Sequence, residues 1–154
     1  MNNKVIYFSR SGNSKRVAEK IAGKLDCGTV ELTDNISWKG IFGFFKGGFY
    51  SLTQKITEIS LENDYSASNA DNIILVVPLW AGGTAPAGYS FLLKEIKNIS
   101  NLTIVICSDG TDAGKAYGKL EALVGEIKNK YGIVKSQKNE DEVINEICNS
   151  FIGK

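Results

Sequence analysis

The chain has 154 residues, 43% of them hydrophobic and 23% charged, enough for one domain, residues 1–154, with a sizeable core. With 18 Lys and Arg against 17 Asp and Glu, the net charge is +1, so composition calls for neither a nucleic-acid partner nor an acidic tail. The sequence contains no histidine, which removes the usual Ser-His and Cys-His nucleophile pairs and all histidine metal ligands.

The first apolar run, residues 5–8, reads as a strand and is too short for the apolar region of a secretory signal. The longest apolar stretch, IILVVPLWAGG, is far below the length that spans a bilayer. Cys27, Cys107 and Cys148 are odd in number, widely spaced and without CxxC pattern, as expected of reduced, buried thiols in a cytoplasmic protein. After the first strand comes SRSGNSKRVAEKIA, whose Val17, Ile21 and Leu25 fall at helical spacing. A helix N-terminus presents unpaired N–H groups and a positive dipole end. Ser9, Ser11, Asn13 and Ser14 crowd neutral donors around that end, and Gly12 lets the backbone curl close, which suits a phosphate dianion. The plainer possibility is that Ser11, Asn13 or Ser14 caps the helix, a task one residue completes alone.

Residues 29–32 read as the second strand. The segment SWKGIFGFFKGGFYSL then places Trp38, Phe42, Phe45, Phe49 and Leu52 at 3.5-residue spacing, while Gly40, Gly43, Gly47 and Gly48 weaken any helix there. The expectation is a crossover helix packing its aromatic stripe on the sheet; the competing one is a mobile aromatic flap over a ligand, or a docking patch. Residues 73–77 form the third strand, followed by PLWAGGTAPAGYSFL, where Trp80 offers an indole platform beside Gly82 and Gly83, or alternatively buries itself under the loop. Thr84 and Pro86 suit a helix start, and Leu92, Ile96 and Ile99 continue it. Residues 102–107 form the fourth strand and lead into CSDGTDAG, another small polar loop. Ala116, Leu120, Leu123 and Ile127 mark a further helix, residues 132–134 a fifth strand, and Val143, Ile147 and Phe151 a last helix.

Alternation of this kind predicts an α/β fold: a doubly wound parallel sheet with helices on both faces, a three-layer α/β/α sandwich. Ligands of such sheets bind beyond the carboxyl ends of the strands, where these three loops lie, and together they suit a phosphate at one end and a planar ring at the other. The GxGxxG fingerprint and the Walker pattern are both absent, Gly114-Lys115 being followed by Ala116. A phosphoryl-accepting receiver would need acids where Ser9 and Pro78 stand, and no cysteine has an arginine six residues on, as a cysteine phosphatase would.

VIYFSRSGNSKRVAEKI resembles the phosphate-loop signature of the flavodoxin family, with Ser14 where threonine is usual, and PLWAGGTAP and CSDG are similar to that family's other two flavin loops. The resemblance covers essentially the whole chain, is short-chain in type, and implies a flavodoxin-like sheet of five strands in the order 2-1-3-4-5. It further implies FMN, with the phosphate held by Ser9, Arg10, Ser11, Gly12, Asn13 and Ser14. The isoalloxazine would lie between Pro78, Leu79, Trp80, Ala81, Gly82 and Gly83 on one side and Ser108, Asp109, Gly110 and Gly114 on the other. No catalytic side chain and no metal ligand is implied. The expected role is electron transfer to a redox partner protein or a small electron acceptor, with a homodimer possible. The alternatives are an FMN-dependent NAD(P)H:quinone or nitro-compound reductase and a non-redox module for a phosphate ligand. A charge of +1 lacks the acidic surplus by which many flavodoxins steer to basic partners, and no nicotinamide-binding motif is present.

Overall fold

The computed structural model describes residues 2–152. Five strands run parallel: β1 (Asn3–Tyr7), β2 (Gly28–Asp34), β4 (Asn72–Trp80), β6 (Asn101–Ser108) and β7 (Asn129–Val134). They pair in the order β2-β1-β4-β6-β7, the expected 2-1-3-4-5 arrangement. β1 lies between β2 and β4, with Val5 opposite both Thr29 and Ile74. Along β4, Ile73, Leu75 and Val77 join one core cluster and Ile74 and Val76 the other, so every residue of the run is buried although successive side chains point to opposite faces.

On the Ile74 face, α1 (Asn13–Lys24) packs Val17, Ala18 and Ile21, and α5 (Glu140–Ile152) packs Ile144, Ile147 and Cys148. On the Leu75 face, α3 (Pro86–Glu95) contributes Tyr89, Phe91 and Leu92, and α4 (Gly114–Val124) contributes Ala116, Tyr117 and Leu120. Helix α3 starts on Pro86, whose fixed φ suits a first turn, and gives way to a 3-10 turn at Ile96–Asn98, short of the apolar pattern that runs to Ile99. The pattern through Ile127 likewise outruns α4, which stops before Gly125 at φ 85°.

Two strands were not foreseen. β3 (Ile59–Leu61) pairs antiparallel with β2, and β5 (Gly83–Thr84) folds back antiparallel on the end of β4. Both are too short to show a two-residue period in sequence.

The segment around residues 38–52 corrects an expectation. It does form a helix, α2 (Gly40–Leu52), but its aromatic stripe does not pack on the sheet. Phe42 is 88% exposed, Phe45 68% and Phe49 59%; of the stripe, Trp38 is buried, and it precedes the helix. The buried residues of α2 are Gly43, Gly47 and Ser51, one small residue per turn. The reason is steric: a β-carbon on Gly43 would run into the backbone of Trp38, and one on Gly47 would come within 3.1 Å of the Trp80 ring. Small residues let the helix axis approach the indoles closely, and the large side chains are turned outward as a result.

Candidate functional site

The loops after β1, β4 and β6 meet α2 around a cavity of about 680 Å³. Ser9, Arg10, Ser11, Asn13 and Ser14 line it from the first loop, Pro78, Leu79, Trp80 and Ala81 from the second, and Ser108 and Asp109 from the third. The predicted glycines lie behind that lining. Gly12 at φ 92° and Gly82 at φ 74° turn the backbone, while Gly83 is buried in β5, where a β-carbon would strike the Tyr89 hydroxyl. Gly114 opens α4, its N–H donating to Asp112 Oδ1 at 2.8 Å, and Gly110 lies beside Ser136.

At the polar end, the N-cap of α1 is Gly12, and no side chain caps the helix. The capping explanation for the hydroxyls therefore does not apply. Ser9 Oγ accepts the Gly12 N–H at 3.0 Å and holds the loop's curl, and Asn13 Oδ1 accepts from Arg16 at 2.8 Å. Ser11 is exposed on the rim. Ser14 is 1% exposed, and its Oγ has no hydrogen-bond partner of ordinary geometry, the nearby Cys107 thiol being a weak one. A buried, unsatisfied hydroxyl costs roughly 1–3 kcal/mol, a penalty relieved when a ligand oxygen arrives. The first turn of α1 also carries no acidic residue, unlike α5, whose first turn holds Glu140, Asp141 and Glu142. The positive end of the α1 dipole thus meets no acidic side chain in its first turn.

At the apolar end, Trp80 is half-buried and meets Phe8 edge-on at 5.7 Å and Trp38 at 5.4 Å. Trp38 is itself pinned, its Nε1–H donating to the Asp34 carboxylate at 2.9 Å, and burial raises that carboxyl's pKa despite the hydrogen bond. The Trp80–Gly83 turn has Ala81 at φ 45° and Gly82 at φ 74°, a tight hairpin that twists with its strands. Ser51 Oγ donates toward the carbonyls of Trp80 and Thr84 and so fastens α2 to this hairpin. Trp80 is accordingly both packed in an aromatic cluster and presented to the cavity.

The site residues read from sequence leave out Phe44, Phe45, Gly47, Gly48, Phe49 and Leu52, all of which line the cavity from α2, although the competing reading of this stripe set Phe45, Phe49 and Leu52 over a ligand. Their signal was visible as a helix with glycines on one face and phenylalanines on the other, but a hydrophobic pattern does not say which face turns inward. Cys107 also lines the cavity, and burial pushes its thiol up to about 12, so it is a protonated neighbour rather than a nucleophile. Among the described residues no cluster of His, Cys, Asp or Glu could hold a metal ion, and no helix is long and apolar enough to cross a membrane.

No family model matches the chain, and no curated protein matches it. Solved structures do. A flavoprotein of Lactobacillus acidophilus NCFM in complex with FMN is 24% identical, covering 92% of this chain and 97% of its own at a TM-score of 0.68. A flavodoxin of Fusobacterium nucleatum bound to flavin mononucleotide is 12% identical, covering 99% and 97%, at 0.56. A flavodoxin of Streptococcus pneumonia TIGR4 is 11% identical, covering 97% and 96%, at 0.57. With its 2-1-3-4-5 parallel core and its polar loops gathered at the carboxyl ends of the strands, the chain has the flavodoxin fold.

Proposed function

We propose that the protein binds FMN in the cavity beyond β1, β4 and β6 and passes electrons through it to a redox partner protein or a small acceptor. The observation that carries this reading is the buried, unpartnered Ser14 Oγ at an acid-free helix N-terminus, facing a cavity whose other end is aromatic. The residues present fit the group. Ser14, Ser11 and the first N–H groups of α1 suit a phosphate dianion, Trp80 offers an apolar ring edge, and about 680 Å³ lies within the roughly 300–1,000 Å³ usual for ligand pockets. Solved neighbours of this fold hold FMN. When bound, FMN supplies one- and two-electron chemistry that no side chain here could perform. The chain's own part is to anchor the phosphate, keep water from the rings with Trp80, Leu79 and α2, and set local charge through Asp109.

Titration of the purified protein with FMN, followed by flavin absorbance, tests the reading. Replacing both Ser11 and Ser14 by alanine should weaken FMN by about 100-fold, two charge-assisted hydrogen bonds being lost. Unchanged affinity in the double variant would remove the phosphate from this loop. Stopped-flow mixing of the FMN-loaded protein with NADPH separates the two redox roles. Slow bleaching with NADPH, made fast by an added reductase protein, supports the carrier; fast bleaching by NADPH alone supports a reductase.

A further inference from the structure

We infer that the ring end of the ligand is held by the aromatic wall of α2, through Phe45 and Phe49 in the cavity that Trp80 also lines, rather than by the 108–114 loop; this rests on the FMN reading above. Of that loop, only Ser108 and Asp109 reach the cavity among the described residues, and neither offers a flat apolar face. Trp80 has its Cε3–Cζ3 edge against Gly47 and meets Phe8 and Trp38 edge-on, and it lines the cavity together with Leu79 and Ala81.

Helix α2 supplies a further apolar surface. Phe45 and Phe49 line the same cavity yet are 68% and 59% exposed, and exposed aromatic rings gathered at a cavity mouth mark a binding surface rather than scattered apolar residues. Gly47 seats the helix against the Trp80 edge, at a cost in helix propensity, so that these rings and the indole line one cavity. The polar end and this wall also touch. Arg10 Nη2 donates to the Gly40 carbonyl at 3.3 Å, and its guanidinium lies 5.8 Å from the Phe44 centroid. Anion site and aromatic wall therefore belong to one binding site. Phe42 provides an internal control, since it is 88% exposed on the same helix but does not line the cavity.

The test compares FMN affinity in the wild type, in Phe45→Ala/Phe49→Ala and in Phe42→Ala. The double variant should bind FMN at least about 10-fold more weakly, while Phe42→Ala stays within about two-fold of the wild type. Phe45→Leu/Phe49→Leu keeps apolar bulk and helix, and should recover part of the lost affinity. Wild-type binding with affinity unchanged in the double variant overturns the inference and leaves the FMN reading standing. A wild type that takes up no FMN overturns both. A wild-type dimer that the double variant converts to monomer, with FMN affinity unchanged, assigns the face to a second copy of the chain and also overturns the inference.

Discussion

A β-carbon on Gly43 would meet the carbonyl group of Trp38, whereas one on Gly118, exposed in the middle of α4, would meet nothing within 4 Å. The same substitution should therefore have opposite signs at the two positions. Gly118→Ala gains helix propensity without contact and should stabilise by about 1 kcal/mol. Gly43→Ala gains the same propensity but must push α2 off Trp38, which should leave a net loss of about 2 kcal/mol. Urea denaturation of the two variants measures both, and a stabilised Gly43→Ala would mean that α2 does not pack by its glycine face. The glycines were conspicuous in the sequence, where they counted only against a helix. Their use as the packing face depends on Trp38 and Trp80, and Trp80 is distant from them in the chain.

At the scale of elements, α1 and α5 are joined by a small ion cluster. Glu140 receives Arg16 through both guanidinium nitrogens and Lys20 Nζ at 2.6 Å, and Asp141 lies 3.5 Å from Lys20. Glu140 also stands in the first turn of α5, where the helix dipole favours negative charge. The hydrogen bond from Arg16, followed by that from Lys20 and both positive charges, outweighs burial and holds the Glu140 carboxyl down at about 2, against an ordinary 4.5. A depressed carboxylate stabilises the fold above its unfolded pKa and loses that contribution as pH falls toward the folded one. Since Arg16 and Lys20 are nearly half exposed, Glu140→Gln should cost only about 1 kcal/mol at pH 7. The difference between wild type and variant should be full above pH 4.5 and shrink between pH 4.5 and pH 2, as urea midpoints across that range would reveal. High salt should narrow it at neutral pH.

For the molecule as a whole, the cavity gathers three things that folding leaves undone: Ser14 unsatisfied, the dipole of α1 uncompensated and the α2 rings in water. A ligand that mends all three binds the folded state alone. FMN at a hundred times its dissociation constant should then raise the melting temperature of this 154-residue chain by about 8 °C. Thermal denaturation with and without FMN checks this, and an equal rise with Ser11 and Ser14 both replaced by alanine would deny the phosphate loop its part.

The five parallel strands, the polar loop after β1 and, through the family resemblance, the strand order were legible without coordinates. Residues 73–77 are apolar throughout because both faces of β4 are covered, and the hydroxyls from Ser9 to Ser14 are local to the helix they precede. What tertiary structure decided is the seating of α2 at the cavity. Apolar periodicity assumes that large side chains face inward, yet α2 is seated by the space that Trp38 and Trp80 leave, which only glycine and serine can enter. The short strand β3 and the contact of Arg10 with α2 arise in the same way, from segments brought together by the sheet rather than from any pattern along the chain, whereas β5 is a local hairpin on the end of β4.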